Sequence, residues 1–408
     1  MKKISYIALC GAAFALCTTN AQASGYQLNE FSAVNLGRAF AGVGVVGDDY
    51  SAIAFNPAGM LLKDTGMQIG VSAVQMHSDV KGALYYGGTP IKNKPDGKVD
   101  LYKILPHFFA QKKVNDDLAI GLGVFTPFGL ATDYNKYWFG ARHGTKTELE
   151  VVDISPTIAY RVMDKLSIGA GWVVRYVHGD VRNDPMGNGS ENKMDLDGWS
   201  ANSWSLGAMY EHSENTRIGV SYRYNNAHTV KGAHRVKGTG TVLDGLYDGR
   251  SKMTLPSTFT LSGYHKIDPK FGLSATARWT KWNVFDNFVM TSSSGRGASI
   301  PEKWDNIWTY SLGLDYYCND NLTLRTGVAY DRAPIKKNKY RTVRIPDSDR
   351  YWITAGISYK TEKFQYDFGY SHLFMKEAKS DNFDNDTTAK AKFHNYSNMF
   401  GIQVQYNF

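Results

Sequence analysis

The sequence predicts an all-β protein: a 14-stranded antiparallel transmembrane β-barrel whose lumen is plugged by an N-terminal hatch. Three observations carry this expectation. Apolar and polar residues alternate with period two through most of the chain, the connections alternate between short and long, and a Gly-rich segment without alternation precedes the first strand. The implied division is residues 1–23 as signal peptide, 24–62 as hatch and 63–408 as barrel.

The N-terminus comes first. Lys2 and Lys3 precede a short apolar stretch, and Ala21, Gln22 and Ala23 give a small-x-small cleavage pattern, so the expected mature chain starts at Ser24. Leu9 precedes Cys10 and Leu16 precedes Cys17, which lacks the small residue a lipoprotein signal needs. Cleavage removes two lysines and lowers the formal charge from +8 to +6. The remaining charges are scattered, which excludes a clustered nucleic-acid surface. Cys318 is the only cysteine left, so no internal disulfide is possible. No apolar run after the signal reaches the ~20 residues of a membrane-spanning helix.

The strands follow. Tyr396, Phe400, Ile402, Val404, Tyr406 and Phe408 share one parity, and Ser397, Gly401, Gln403, Gln405 and Asn407 the other. Similar alternation marks Phe364 to Ser371, Leu166 to Tyr176, Arg217 to Tyr224 and Phe271 to Trp279. Period two means strands. A soluble sandwich would also alternate. Polar faces of Gly, Ser, Gln and Arg, with apolar faces ending in Tyr, Trp and Phe, instead suit a polar lumen and a lipid-facing band between aromatic girdles. Short turns fall near residues 114–117, 163–165, 213–215, 268–270, 318–320 and 361–363. Long polar loops fall near 79–100, 127–148, 181–198, 233–252, 289–303, 333–348 and 379–390. Thirteen connections make 14 strands, an even number with short periplasmic turns and long outer loops. Closure leaves no sheet edge and satisfies the backbone in lipid. The terminal Phe408 resembles the aromatic assembly signal of outer-membrane barrels, which implies the outer-membrane assembly machinery as a partner.

The hatch comes from lumen width. About eight strands can be filled by side chains, whereas about sixteen leave an open channel, so this barrel needs a plug. Residues 24–62 supply small residues (Gly37, Ala39, Ala41, Gly42, Gly44, Gly47) and end in the turn Asn56, Pro57, Ala58. Pro57 fixes its own φ and biases Asn56 away from helix, and Asn56 can bond backbone groups that a buried loop leaves unpaired. These three residues are the candidate gating turn. On the inward parity, Arg175, Arg223, Arg278 and Arg325 are candidates for holding an anionic head group. The alternative is that they pair with Asp315, Asp331 or Asp367 or hold the hatch. In the third strand, Gly121, Gly123, Phe125 and Pro127 mark an expected kink, because Gly and Pro are poor strand-interior residues.

Several segments carry a family resemblance. They are SGYQLNEFS from Ser24, LGRAFAGVGVVGDDYSAIAFNPAGM over residues 36–60, TLPSTFTLSGY from Thr254, WDNIWTYSLGLDYY from Trp304, LTLRTGVAYDRAPI from Leu322 and IPDSDRYWITAGISYK from Ile345. Across the mature chain these resemble the FadL family of outer-membrane long-chain fatty acid transporters, which includes relatives that import aromatic hydrocarbons. The resemblance implies passive uptake of a hydrophobic molecule: capture on an apolar patch of extracellular loops, a lumen pocket, and sideways release through a gap beside the third strand. The loop near 181–198 departs from the family by being short and polar. The loop near 233–252 keeps Val242, Leu243, Leu246 and Tyr247 at helical spacing as a reduced patch.

Catalysis has little support. Ser371 and His372 are adjacent and point to opposite faces of a strand, and the ten His show no zinc spacing. No cofactor, metal or nucleic acid is implied. The expected partners are a long-chain fatty acid or another hydrophobic small molecule and outer-membrane lipid, with the chain a monomer. The other readings are an aromatic hydrocarbon channel and a general porin for small polar solutes.

Overall fold

The computed structural model describes residues 25–91, 93–384 and 386–408. The expected signal peptide and Ser24 lie outside these residues. Strands β1 (Gly66–Tyr86), β2 (Gly97–Asn115), β3 (Leu118–Asp133), β4 (Lys146–Met163), β5 (Leu166–Asn183) and β6 (Glu191–Ser213) are continuous. The next four each form in two pieces. They are β7 (Thr216–Tyr224, Ala227–Lys237), β8 (Gly245–Thr254, Thr258–Lys266), β9 (Phe271–Thr280, Asn287–Ser292) and β10 (Ala298–Pro301, Ile307–Tyr317). Then come β11 (Leu322–Asp331), β12 (Arg350–Lys360), the two-piece β13 (Phe364–Met375, Ala378–Asp384) and β14 (Thr387–Asn407). Neighbours pair antiparallel, and β14 closes on β1 from Gly66↔Asn407 to Tyr86↔Thr387, giving a closed 14-stranded barrel.

The alternation sorts as a lipid-facing barrel requires. On β14, Phe400 and Ile402 are exposed, whereas Gln403 and Gln405 are buried. The apolar parity faces out and the polar parity faces a filled interior, the reverse of a soluble sandwich.

Short turns fall where expected, but most long loops are shorter than the sequence suggests. β5 and β6 run on as a hairpin, leaving only residues 184–190 between them, and β13 runs to Asp384 before β14 starts at Thr387. Polar alternation continues beyond the apolar band, so those stretches read as loops although they are strands. Residues 134–145 and 332–349 are true loops, and both fold inward. Trp138, Phe139, Val343 and Ile345 are buried, and the Tyr134 hydroxyl donates to the Val343 carbonyl at 2.8 Å.

The hatch fills the other half of the lumen. It contains α1 (Ala33–Leu36), capped by Ser32, then α2 (Ala52–Phe55) and a 3-10 turn over Pro57–Leu62. Nearly every residue from Gly25 to Leu61 is buried or half-buried. Strand glycines make room for it. Gly356, Gly369 and Gly401 lie opposite one another across β12, β13 and β14. A Cβ at Gly369 would stand 2.3 Å from the Ala33 carbonyl oxygen. Gly169 and Gly207 pair across β5 and β6 against Pro57 and Asn56.

The hairpin and turn lengths give a testable topology. A tag inserted at Asn188 is expected to be labelled on intact cells, and one at Asp164 only after permeabilisation. Reversed labelling would place both chain ends outside.

Candidate functional site

Burying charge in a plugged lumen is costly unless each charge is paired. The hatch meets this with Arg38, which is fully buried. Its guanidinium bonds Asp48 at 2.8 Å and Asp315 of β10 at 3.1 Å. Arg325 of β11 bonds the same two carboxylates, Asp48 at 3.0 Å and Asp315 at 3.2 Å. Two cations and two anions thus tie hatch to wall. The flanking guanidinium groups hold the Asp48 carboxyl below the usual carboxylate range, although burial opposes them.

The four arginines expected in the lumen are all inward, and they separate by partner. Arg175 is bidentate to Asp153 at 2.5 and 2.7 Å, with both side chains fully buried, and Arg223 takes the same carboxylate at 2.6 Å. Arg325 belongs to the hatch quartet. Arg278 bonds Asn29 of the hatch and Thr260. It has no carboxylate within salt-bridge distance among the described residues. Arg325 pairs with Asp315, one of the expected structural partners, whereas Arg175 and Arg223 pair with Asp153, which is not among them.

Two cavities in the lumen flank the hatch. The upper one spans about 660 Å³ of space between atoms, open solvent included. Its wall is mostly apolar, including Leu149, Val177, Leu196, Val230, Phe285 and Met290. Arg344, from the inward-folded loop 332–349, supplies its cation. The Arg344 side chain bonds the Thr147 hydroxyl at 3.1 Å and the Arg182 carbonyl at 3.0 Å. Its Nε has no partner and no carboxylate lies within salt-bridge distance, among the described residues. Burial lowers the Arg344 guanidinium to about 10, against the opposing pull of Asp384 and Glu302, so it stays charged at neutral pH. Sequence reasoning missed Arg344 because it lies in a loop, where no strand parity marks it as inward.

The second cavity, which spans about 480 Å³ with open solvent included, lies below. Phe31, Phe55 and Phe125 line it together with Arg223 and Arg278. The partition between the two is the start of the hatch. Tyr26 contributes to the upper wall, and Gln27 and Leu28 to the lower. This segment is pinned to the third strand by an isolated antiparallel bridge, Gln27↔Phe128. The Leu28 N–H donates to the Pro127 carbonyl at 2.8 Å, and the Gly129 N–H donates to the Tyr26 carbonyl at 2.9 Å.

The pinned stretch is where β3 departs from regularity. Its register with β4 shifts between Phe125 and Phe128. The kink expected at Gly121 and Gly123 is not there: both pair in an unbroken ladder with β2 and β4. They are glycines because Ile53 and Met60 of the hatch and Phe109 press against them. Phe125 borders the true discontinuity and Pro127 lies inside it.

The gating turn is held firmly. The Asn56 side chain donates to the Ala208 carbonyl at 3.2 Å and accepts from the Ala58 N–H at 3.2 Å. Asn56, Pro57 and Ala58 line neither cavity. The expected helical patch is absent: residues 245–254 are strand, so Leu246 points outward and Tyr247 toward the interior. Val242, 96% exposed, sits in the turn before them, and Leu243 is half-buried. Strand geometry sends Leu246 and Tyr247 to opposite faces, and Val242 and Leu243 lie outside the strand.

A closed barrel with a folded-in N-terminus is the background for comparison with known proteins. The family described as "Outer membrane protein transport protein (OMPP1/FadL/TodX)" matches residues 14–408. The chain belongs to this family. Among curated relatives of this FadL-type chain, the long-chain fatty acid transport protein of Escherichia coli K12 is 29% identical, covering 90% of this chain and 91% of its own. Outer membrane protein P1 of Haemophilus influenzae is 28% identical over the full length of both. Among solved structures, a Pseudomonas aeruginosa FadL homologue superposes with a TM-score of 0.86 at 24% identity, covering 94% of this chain and all of that one. The Pseudomonas putida toluene transporter TodX gives 0.70 at 17%, covering 95% of this chain and all of that one. The chain is therefore an outer-membrane transport protein for hydrophobic compounds, and its homologues are transporters and channels rather than enzymes.

In this FadL-type hatch, Glu30 stands out. It is fully buried, one oxygen accepts from the Asn29 N–H at 2.7 Å, and the other has no partner among the described residues. Burial pushes its carboxyl up to about 7, only partly offset by backbone hydrogen bonds and the Arg350 charge. An undocked Glu30 would titrate near 4.5. The docked hatch therefore binds the extra proton. Its docking is strongest below that value and weakens as pH rises through 7, by roughly 3 kcal/mol in all. Amide exchange of residues 26–36, corrected for intrinsic rates, is expected to be faster at pH 8 than at pH 5. Glu30→Gln should remove that difference, and an unchanged pH dependence in the variant would assign it to another group.

Proposed function

We propose that this protein takes up long-chain fatty acids passively, binding them in the upper cavity with the carboxylate on Arg344. The observation that carries the reading is a mostly apolar cavity containing a buried guanidinium without a carboxylate partner. An apolar tail needs such walls, and a carboxylate head needs one charge-assisted partner that does not already hold an acid. The similarity to the long-chain fatty acid transport protein of Escherichia coli agrees with it.

Release follows from the partition. Tyr26, Gln27 and Leu28 separate the two cavities and are pinned to the irregular stretch of β3. A ligand pressing on Tyr26 breaks few backbone bonds to free this segment. Displacement joins the upper cavity to the lower one, where Arg278 offers the next cationic position. It also frees β3 beside a lateral gap to the membrane. Asn56, Pro57 and Ala58 act as the fixed anchor from which the rest of the hatch moves.

Aromatic hydrocarbon uptake is the second reading, favoured by the low polarity of the same cavity and by the likeness in fold to the toluene transporter. Arg344 separates the two. Arg344→Met should weaken oleate binding by about 10-fold or more, the loss of one hydrogen bond to a charged group, and leave toluene binding unchanged. If wild-type protein binds toluene and not oleate in direct competition, the hydrocarbon reading replaces the first. A large steady conductance in planar bilayers would instead mark a porin.

The anchor has its own test. Asn56→Ala and Pro57→Ala should cut oleate uptake more than they cut barrel heat-modifiability or oleate binding. Equal losses in all three would make the turn only structural.

A further inference from the structure

The barrel wall has a seam. β2 and β3 pair in register only from Asn115↔Leu118 to Phe108↔Val124. Beyond that point β2 continues its ladder with β1 as far as Gly97, and β3 continues with β4 as far as Asp133↔Lys146. From Phe125 to Thr132 every residue of β3 is buried, on both parities. The upper part of β3 therefore lies inside the wall with β2 lapped over it. Ala131, on the outward parity, shares a pocket wall with Met76 of β1 and Val99 of β2. Tyr26 and Leu28 pin this same stretch from within.

One ion pair spans the seam from β2 to β4. Lys103 Nζ lies 3.3 Å from Glu148 Oε1, and each side chain is only 15% exposed. Lys146 Nζ lies 2.6 Å from the other Glu148 oxygen. Glu148 also contributes to the wall of the upper cavity. A carboxylate shared by two ammonium groups thus stands between the cavity and the membrane.

Opening this seam toward lipid without a replacement anion leaves Lys103 unpaired in a medium of low polarity, which is costly. A ligand carboxylate removes that cost by taking the place of Glu148, while Lys146 keeps Glu148 paired. A neutral hydrophobe of the same length offers no such exchange. We propose that Lys103 and Glu148 form a clasp on the lateral exit that a carboxylate ligand opens by exchange, so that Lys103 selects acids over neutral hydrophobes at the release step. This rests on the lateral-release reading above, and it adds a determinant of specificity separate from the binding cation Arg344.

The test compares release of oleate and of oleyl alcohol from the full mature protein into phosphatidylcholine vesicles by stopped-flow fluorescence. Lys103→Met is expected to lower the ratio of oleate to alcohol release rates by about 10-fold, the worth of one charge-assisted contact, with equilibrium oleate binding retained. Glu148→Gln is expected to speed alcohol release, and Lys103→Arg to keep the wild-type ratio. Rate ratios unchanged in both Lys103→Met and Glu148→Gln, in protein with normal heat-modifiability, would overturn the clasp. A separate control addresses the exit itself. If a verified Val99→Cys/Ala131→Cys disulfide leaves wild-type release rates intact for both ligands, the lateral-release reading fails, and the clasp with it.

Discussion

A barrel of this width cannot fill its lumen with wall side chains alone, and the rest of the structure follows from how the space is filled. Backbone groups in lipid must all be bonded, so the sheet closes and its apolar parity faces out. The remaining parity is then polar by default and faces a cylinder too wide to pack on itself. Residues 25–62 are the filling. Their entry requires glycines at Gly356, Gly369 and Gly401, where hatch backbone touches strand backbone. It also requires charge balance, which Arg38, Asp48, Asp315 and Arg325 provide.

That filling is uneven, and the unevenness creates the path. Around Arg38 and the Asn56 turn the hatch is bonded to the wall through side chains with little slack. Toward its start it is held by a short backbone bridge to β3, by bonds of the Gly25 N–H to Asp347, of Thr280 to Gln27 and of Arg278 to Asn29, and by ring contacts of Tyr26 with Trp282, Phe285 and Trp304. Ring contacts are strong in total but carry no fixed register, and a ligand of similar character can replace them. This end of the plug lies between the two cavities and against the seam.

Cation placement separates architecture from ligand chemistry. Arg175, Arg223 and Arg325 pair with carboxylates of the protein, and each shares its buried anion with a second arginine. Arg344 and Arg278 have only neutral partners among the described residues. A buried guanidinium kept without an acid is poorly suited to structure and well suited to receiving an anion. Inward parity alone does not distinguish these two kinds of arginine.

The sequence by itself determined the closed barrel, its strand number and its plug. Period-two alternation, turn spacing and small-residue composition are local properties that each strand carries in its own residues. The inward arginines, the irregularity near Pro127 and the family were legible on the same terms. Tertiary structure decided what distance along the chain conceals. It placed Arg344 in the cavity by folding a loop inward, and it assigned Gly121 and Gly123 to hatch packing instead of to a kink. It turned apparent loops into extended hairpins and put Leu246 and Tyr247 on opposite faces of a strand, with Val242 and Leu243 in the turn before it. It also brought Lys103 and Glu148 together over an intervening strand. Parity tells which face of a strand a side chain occupies, but pairing across a filled lumen or an overlapped seam depends on register and depth, which arise only when the barrel closes around its hatch.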